Sequence, residues 1–444
     1  MEIDMKLMSL FDGSGGFPLA ASLCGIEPVY AAEVEPYPIA VTKNRFPKMK
    51  HLGDVSKVKG GEIEPVDIIT FGSPCQDMSI AGKRAGLKHA DMGDDETTRS
   101  GLFLEAIRII KEMREATNGV YPRYAIWENV PGAFSSNRGE DFRTVLEEFI
   151  RVKEKDAVMP AVPQAGWAYA DCISGDGWSI AYRVFDAQYW GVPQRRRRIY
   201  LVADFRGECA QEILFKRESL RGYFEAGRTP WQGIAADAQN CVGTAIGVCT
   251  DGKSPTLRAE AHGNAPYVIN KKTLVYDTRG NGAGETVPTI TGDHNNRITD
   301  YTALCCEAVV YDGANITSPL NKTNPQAGDP CHTISTDSRN YIVRRLTPTE
   351  CARLQGFPDW WGEIPKKDNL TDDEYVFWLN ARNTYAKINN KTTKEYSKEQ
   401  MLSWYNKLHS DSSEYKMWGN GIALPNALYV MQGIAEVVGV HHSK

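Results

Sequence analysis

Short apolar runs of strand length alternate, over the first two hundred residues, with segments whose apolar residues recur at helical spacing. Leu102–Met113 is a segment of the second kind, and Ser179–Phe185 has the pattern of a hairpin. This alternation is typical of an open α/β sheet, in which ligands bind outside the carboxyl ends of the strands. The runs predicted to be strands are Lys6–Phe11, Pro28–Ala32, Asp67–Phe71, Tyr124–Trp127 and Ile199–Val202.

A single cysteine follows the strand Asp67–Phe71. The strand breaks at Gly72, Ser73 and Pro74, and Cys75 comes next, so its thiol should stand on a loop at the ligand-binding edge. Most cysteines are small buried hydrophobes, and this chain has ten of them. From these residues alone, a nucleophile and a structural cysteine both remain open.

A glycine-rich loop joins the first strand to a helix. Gly13, Gly15 and Gly16 allow a tight turn and a close approach to a ligand, and a helix N-terminus points at that turn. As a dinucleotide fingerprint the loop is incomplete, since Pro18 stands where a third glycine is expected. Glu33 lies twenty residues (33 − 13) beyond Gly13, where a carboxylate for ribose hydroxyls is expected. A nucleotide-like ligand fits, although such turns occur in many folds.

Polar residues also mark the ends of other predicted strands. Asp54 could hydrogen-bond an adenine amino group or could be a turn aspartate. Glu128 and Asn129 follow Trp127 and should share the crevice edge with Cys75, the alternative being a helix or turn cap.

Four consecutive arginines, Arg195 to Arg198, enter the strand Ile199–Val202. Alternation along a strand sends Arg196 and Arg198 to one face and the other two to the opposite face. We therefore expect one pair to face the crevice, although a charge run is more often a solvated surface.

The polar stretch after Cys75 carries three glycines and is long for a loop, which suggests a lid. Ser79, Lys83 and Arg84 within it could contact phosphates or simply be solvated.

From about Phe205 to Val343 the α/β alternation stops, and a degenerate repeat predicts β-hairpin units. Polar side chains in the repeat turns could contact base edges, or they could be exposed turn residues. They are Arg258, His262, Asn264, His294, Asn295, Arg297, Arg339 and Asn340.

Beyond residue 343, Thr347, Pro348 and Glu350 have the pattern of a capped helix. A charged, mostly helical insert is expected over 362–416. The loop around Asn420 then opens an apolar helix that needs a sheet to cover.

Composition restricts the classes of partner and site but indicates no function by itself. The 444 residues carry a net charge of −5, so contact with nucleic acid must come from local basic patches. No apolar run reaches transmembrane length, and no charged leader precedes an apolar region at the N-terminus, so we expect a cytoplasmic protein without membrane contact. Ten cysteines without CxxC pairs suggest neither disulfides nor a zinc site.

Six blocks in this order resemble the cytosine-5 DNA methyltransferases of bacteria and phages: FDGSGGF, GSPCQDMS, WENV, PQRRRRI, RLTPTECARLQGFP and GNGIALPNA. The match covers nearly all of 5–203, then 344–361 and 417–435. It implies a Rossmann-like, mostly parallel α/β sheet that binds S-adenosylmethionine in a catalytic domain, 1–204. It further implies a β-rich target recognition domain at 205–343, and a segment 344–444 that completes the catalytic domain.

The resemblance also implies roles for residues. Cys75 would be the nucleophile that adds to C6 of a flipped cytosine, Glu128 an acid at ring N3, Asn129 a ligand of the exocyclic amine, and Arg196 and Arg198 stabilisers of the transition state. The implied cofactor-binding residues are Phe11, Asp12, Gly13, Gly15, Gly16, Glu33, Val34, Asp54, Val55, Gly72, Pro74, Leu102 and Asn420. The implied DNA-binding residues are Ser79, Lys83, Arg84, Arg258, Asn264, Arg297, Arg339 and Asn340.

We expect a monomer that binds double-stranded DNA. It is expected either with a cognate restriction endonuclease or without one. The expected product of the cofactor is S-adenosylhomocysteine, and no metal is expected. Two positions depart from the family pattern. Gly421 stands where Ser or Ala is usual, and Val34 stands where an aromatic usually stacks on adenine. The rival hypotheses are an RNA cytosine-5 methyltransferase, a DNA-binding regulator with a decayed site, and a nicotinamide oxidoreductase, against which Pro18 counts.

Overall fold

The computed structural model describes residues 5–73, 101–192, 194–215 and 347–441, and between 238 and 345 it describes the backbone of seven strands. Several residues singled out above lie outside the described residues, and their expected roles stay predictions. They are Pro74, Cys75, Ser79, Lys83, Arg84, Arg258, His262, Asn264, His294, Asn295, Arg297, Arg339 and Asn340.

A mixed sheet of eight strands forms the centre of the described structure, in the order β3-β2-β1-β4-β5-β8-β7-β6. The first five strands are parallel, and β8 runs antiparallel to both β5 and β7. The predicted mostly parallel α/β sheet is therefore confirmed. The strands are β1 (Lys6–Leu10), β2 (Glu27–Ala32), β3 (Lys50–His51), β4 (Ile68–Phe71), β5 (Tyr124–Asn129), β6 (Ala170–Gly175), β7 (Trp178–Asp186) and β8 (Arg197–Asp204).

Two strand predictions were too short. β5 continues through Glu128 and Asn129, because both residues pair with β8 and do not form a turn. The span Ser179–Phe185 is one strand of a hairpin rather than a whole hairpin, since β6 pairs with it antiparallel. The turn between β6 and β7 contains Gly177 at φ 68°, a left-handed conformation that glycine adopts without strain.

Helices cover both faces of the sheet, because successive residues of a strand point to opposite sides. Leu7 packs into one hydrophobic core, whereas Met8 and Leu10 pack into the other. The first core holds α1 (Gly16–Leu23), α2 (Pro36–Arg45) and a long C-terminal helix. The second core holds α3 (Leu102–Ala116) and α4 (Glu140–Ile150).

Residues 205–343 begin with α5 (Ala210–Phe215), whose Ile213 and Leu214 are buried in the first core. The seven strands beyond it form two antiparallel sheets, as the repeats predict. In the four-stranded sheet, Pro266–Asn270 pairs antiparallel with Ile342–Arg345, so segments that follow two of the repeat units are neighbours.

The described residues from 348 onward contain five helices. They are α6 (Pro348–Leu354), α7 (Asp372–Ile388), α8 (Lys398–Tyr405), α9 (Asp411–Asn420) and α10 (Leu424–His441). The predicted capping box of α6 is present, since Thr347 and Glu350 cap each other. α10 packs against α1 over the sheet, as an apolar helix at this position requires.

The insert predicted at 362–416 packs on α2 through a small core of its own. Trp378, Met401 and Tyr405 are buried there against Ile39 and Ala40. Within the part of the chain that is described, no single helix is long and apolar enough to cross a membrane; one bent pair, α9 with 424–439, passes that test by length and composition alone.

Candidate active site

The register of the parallel strands brings the last residues of β1, β2 and β4 level with Trp127 of β5, which continues for two more residues. Leu10 pairs with Ala32 on one side and with Phe71 on the other, and Phe71 pairs with Trp127. The residues that come next, among them Glu33 and Glu128, therefore meet at the carboxyl edge of the sheet, where an open α/β sheet binds its ligand.

The glycine loop is folded around Glu33. Its carboxylate accepts hydrogen bonds from the backbone N–H groups of Gly13 (2.8 Å), Val34 (2.7 Å) and Glu35 (2.8 Å). Gly15 has φ 77°, and a Cβ on Gly16 would collide with Ile422. The loop thus needs its glycines, and Glu33 is fixed at the end of β2. Burial is the main cause that raises the pKa of Glu33.

Asp12 is a second buried carboxylate in the loop. Among the described residues, neither of its oxygens meets a donor in hydrogen-bonding geometry, and only 8% of the residue is exposed. Burial raises its pKa to about 8, Ser9 opposes the shift, and the nearby Glu33 adds to it. Phe11, just before it, has φ 55°, which is rare for an aromatic residue and is typical of functional loops. This loop therefore holds two carboxylates that a cationic ligand would stabilise.

The other predicted cofactor residues line the same edge with less specific contacts. Asp54 caps a short 3₁₀ helix, its Oδ1 accepting bonds from the N–H and hydroxyl of Ser56 (2.9 Å each), so the turn interpretation is what the structure shows. Val55 is buried, Leu102 begins α3 half-buried, and Asn420 is exposed at the end of α9. For these residues, cofactor contact stays a prediction.

Glu128 forms an ion pair across the sheet. Arg198 Nε lies 3.0 Å from Glu128 Oε1, and both side chains are nearly buried. A Cβ on Gly72 would lie 3.2 Å from the other carboxylate oxygen, so glycine keeps the space beside Glu128 open. Tyr200, opposite Glu128 in the register, has its pKa raised by burial and then by the carboxylate.

Asn129 connects β5 to the loop that carries the predicted nucleophile. Its Nδ2 donates to the carbonyl oxygen of Ser73 (3.2 Å), and its Oδ1 accepts from Val130 N–H (2.8 Å). Trp127 Nε1 adds a bond to Ser73 Oγ (3.2 Å). Ser73 was not among the predicted site residues. The chain enters the residues around Cys75 from a position that Asn129 and Trp127 fix.

The arginine run alternates as predicted: Arg195 and Arg197 are exposed, Arg196 is buried, and Arg198 is partly buried. The two inward arginines do different things. The Arg196 guanidinium donates to the carbonyl oxygen of Gly421, and its backbone N–H donates to Asp186 Oδ1 (3.2 Å). Arg196 thus ties the start of β8 to the loop between α9 and α10, whereas Arg198 reaches Glu128.

Ser14 explains why glycine occupies position 421. A Cβ on Gly421 would lie 2.7 Å from Ser14 Oγ and 3.1 Å from the Met417 carbonyl oxygen. The Ser14 carbonyl oxygen accepts a bond from Trp361 Nε1 (2.8 Å). Sequence reasoning missed Trp361, which is 347 residues away from Ser14 along the chain; the adjacent tryptophans 360 and 361 near the RLTPTECARLQGFP block were the available signal.

This arrangement is an α/β fold with a nucleotide-type loop and buried carboxylates at the carboxyl edge of its sheet. A family model described as C-5 cytosine-specific DNA methylase matches residues 5–153 and 170–376. The chain belongs to this family. Membership implies S-adenosylmethionine as the cofactor.

Curated relatives agree with this family in part. An Escherichia phage P1 protein named DNA N-6-adenine-methyltransferase is 29% identical over 97% of this chain and 61% of its own length. Type II methyltransferase M1.ScrFI of Lactococcus lactis subsp. cremoris is 27% identical over 83% of the chain and 73% of its own length. Type II methyltransferase M2.BsuMI of Bacillus subtilis is 28% identical over 48% and 45%. The chain thus spans less than two thirds of the phage protein. A solved structure of S. pombe Dnmt2 methyltransferase covers 98% of the chain and 99% of its own, at 14% identity and a TM-score of 0.48.

The residues present fit this cofactor. S-adenosylmethionine carries an ammonium and a sulfonium, and the loop offers Asp12, whose buried carboxylate oxygens meet no donor in hydrogen-bonding geometry within the described part. Glu33 is already held by three N–H groups at the position expected for ribose hydroxyls. Among the described residues, no three His, Cys, Asp or Glu side chains cluster as a metal site would need.

Proposed function

We propose that this protein is a sequence-specific DNA cytosine-5 methyltransferase, which methylates C5 of a cytosine flipped out of duplex DNA through a covalent adduct with Cys75. One observation carries the proposal. Glu128, paired with Arg198, stands at the carboxyl edge beside the strand end from which the chain leads, through Ser73, to Cys75. Acid, arginine and thiol are the three groups that attack on a pyrimidine ring requires.

The proposed reaction begins at the thiol of Cys75. C5 of cytosine is a poor nucleophile until a group adds to C6, and a thiolate is suited to that addition. Arg198 and Arg196 bring positive charge to this edge, which favours the thiolate. As the C6–S bond forms, the electron pair of the C5–C6 double bond moves toward ring N3, where Glu128 in its protonated form supplies a proton that neutralises the developing charge.

The second half of the reaction restores the aromatic ring. S-adenosylmethionine, when bound, supplies a methyl group on a sulfonium that C5 attacks. Glu128 then takes back the proton from N3, a base removes the proton from C5, the C6–S bond breaks, and Cys75 leaves as thiolate. Glu33, Asp12 and the glycine loop would hold the cofactor at the end of β1 and β2, one and two strands away from β4. None of these steps is accessible in a stacked duplex, so the base must be flipped out.

Target recognition belongs to 205–343 in this proposal. Its two small antiparallel sheets would present turns to the DNA grooves. A cognate restriction endonuclease is a further proposal, supported by the Type II names of the bacterial relatives.

Adenine N6 is the second candidate, because the phage relative with that name matches 97% of this chain. More than a third of that phage protein lies outside the matched part, however, and the family model for this chain is specific for cytosine C-5. The cytosine reaction is therefore the one we propose.

Base-resolved mapping tests the choice. Purified protein is incubated with labelled S-adenosylmethionine and mixed-sequence duplex DNA or RNA, and the product bases are identified. The proposal expects 5-methylcytosine at one recurrent DNA sequence. Label in N6-methyladenine, label in RNA only, or no label in either would each overturn it.

A further inference from the structure

The insert places a basic tip at the same edge of the sheet as the active site. α2 begins at that edge, because it follows the end of β2 by way of Glu33 and Glu35. Phe377 in α7 contacts Lys43, near the far end of α2. Tyr385, two turns later in α7, contacts Lys416, whose Nζ lies 2.9 Å from Glu35 Oε1 at the start of α2.

α7 therefore runs antiparallel to α2 and returns to the carboxyl edge. The eight residues from Phe377 to Tyr385 span about 12 Å at 1.5 Å per residue, and so do those from Glu35 to Lys43. α7 ends at Ile388, three residues beyond Tyr385, which carries the chain about 4.5 Å further in the same direction. The end of α7 and the residues after it therefore extend past the level of Glu35, at the start of α2.

The tip is built from exposed basic and polar side chains. Lys387, Asn389, Asn390, Lys391 and Lys394 are all exposed, and Ile388 is 48% exposed. From residue 381 to residue 397 the chain has four basic residues and one acidic residue, a local balance of 4 − 1 = +3 in a protein whose net charge is −5. Within the described ranges, no ion pair neutralises Lys387, Lys391 or Lys394.

The tip is also preformed. Asn389 closes the helix by donating from Nδ2 to the Tyr385 carbonyl oxygen (2.7 Å), and Lys391 N–H donates to the Ala386 carbonyl oxygen (2.8 Å). Arg382 holds the irregular segment after the helix: it donates to the Lys394 carbonyl oxygen (3.1 Å) and stacks 3.7 Å from the Tyr396 ring. A ligand would not have to order this segment, which favours binding.

We infer that this tip, 387–394, is a DNA-backbone contact that adds to the target recognition region, with its lysines on phosphates of the same duplex. The inference rests on the proposed function. β2 and β4 are separated by β1 alone, so their ends lie about 10 Å apart at 4.8 Å per strand. A duplex engaged beside β4, with a major groove about 12 Å wide, extends over the end of β2. Lys387, in the last turn of α7, also interacts favourably with the helix dipole. Lys391 and Lys394 lie beyond the helix and have no such role.

The test compares two triple variants in the full chain. The tip variant is Lys387→Gln, Lys391→Gln, Lys394→Gln. The control variant is Lys48→Gln, Lys153→Gln, Lys155→Gln, which removes three exposed lysines from the opposite edge of the sheet. The control lies there because Lys48 follows the far end of α2, and Glu154, between the other two, bonds Trp178 at the start of β7.

The measurement is the dissociation constant for duplex DNA as a function of salt. Three phosphate contacts contribute about −2.7 to the slope of log affinity against log salt. The tip variant should lose about that much slope and bind more weakly at low salt, while the control keeps both. The target sequence and turnover at saturating DNA should be unchanged, since these contacts carry no sequence information.

Two results would overturn the inference while wild-type protein methylates DNA: an unchanged slope in the tip variant, or a loss confined to RNA binding. If wild-type protein methylates no DNA, the proposed function fails instead, so the two failures are distinguishable.

Discussion

Asn129 Nδ2 lies 3.2 Å from the carbonyl oxygen of Ser73, two residues before Cys75. With Oδ1 bonded to Val130 N–H and only 2% of the residue exposed, this amide faces backbone on both sides. The described contacts favour a positioning role for Asn129, whereas the sequence suggested contact with the exocyclic amine of the base. The two roles give different expectations for variants.

Asn129→Ala should lower kcat by about 10²-fold, the cost of a misplacement of about 1 Å near the reacting atoms. Cofactor affinity should stay within a few fold, because Asn129 is on the far side of β4 from the glycine loop. Steady-state kinetics and a cofactor titration measure both. Ser73→Ala is the comparison variant: it removes the Oγ that accepts from Trp127 Nε1 but keeps the carbonyl that Asn129 holds, so its loss should be smaller. Equal losses in the two variants would contradict the positioning role.

Glu128→Gln should reduce kcat by about 10²- to 10⁴-fold, the usual range for a lost acid or base. Arg198→Ala should also reduce it, since its guanidinium pairs with Glu128, whereas Arg197→Gln, on the exposed face of β8, should leave turnover unchanged. Single-turnover methylation compares the three variants. Full activity in Glu128→Gln would remove Glu128 from the chemistry.

The pKa of Asp12, raised to about 8 by burial, predicts a pH-dependent affinity for a cationic cofactor. The carboxylate binds a cation when ionised, so affinity should rise as pH increases from about 6 toward about 8, where the α-ammonium of the cofactor begins to lose its own proton. Calorimetric titration from pH 6 to pH 9 should show this rise in wild type and a flatter profile in Asp12→Asn. Identical profiles would show that Asp12 does not face the cofactor.

The raised pKa of Asp12 also predicts how the stability of the cofactor-free protein depends on pH. Its folded state holds the Asp12 proton more tightly than the unfolded chain, whose ordinary value is 3.8. The unfolding free energy should therefore fall as pH rises from about 4 to about 8. Asp12→Asn removes that dependence, so its advantage over wild type should grow with pH in denaturant titrations. A constant difference across this range would contradict the shift.

Gly421→Ala should destabilise the protein by about 1–3 kcal/mol, the usual cost of overpacking, because its methyl group would meet Ser14 Oγ at 2.7 Å. Ser14→Gly in the same chain should recover most of the loss. A double-mutant cycle on unfolding free energy measures this coupling. Additive effects would show that the two side chains do not compete for space.

The sequence predicted the strands and the carboxyl edge well, because apolar runs and the glycines after them are local signals. It also predicted the alternation of Arg196 and Arg198, which depends only on the period of a strand. It could not predict which partner each arginine finds. Gly421 is 225 residues from Arg196, and such pairs arise from packing of distant elements.

The position of the insert could not be predicted from local sequence either. Its helices were predictable from composition, whereas its position on α2 depends on contacts such as Lys416 with Glu35. Glu128 is a further case: strand-end patterns suggested a loop residue, but pairing with β8 extends β5 through Asn129.

Trapping the covalent adduct of Cys75 tests the proposed mechanism directly. Duplex DNA that carries 5-fluorocytosine at the mapped target blocks release, since fluorine at C5 cannot leave as a proton does. Incubation with cofactor, proteolysis and mass spectrometry then identify the modified peptide. The proposed mechanism predicts one covalent complex, on the peptide containing Cys75, and none with Cys75→Ala. A complex at another residue, or methylation of ordinary DNA by Cys75→Ala, would contradict it.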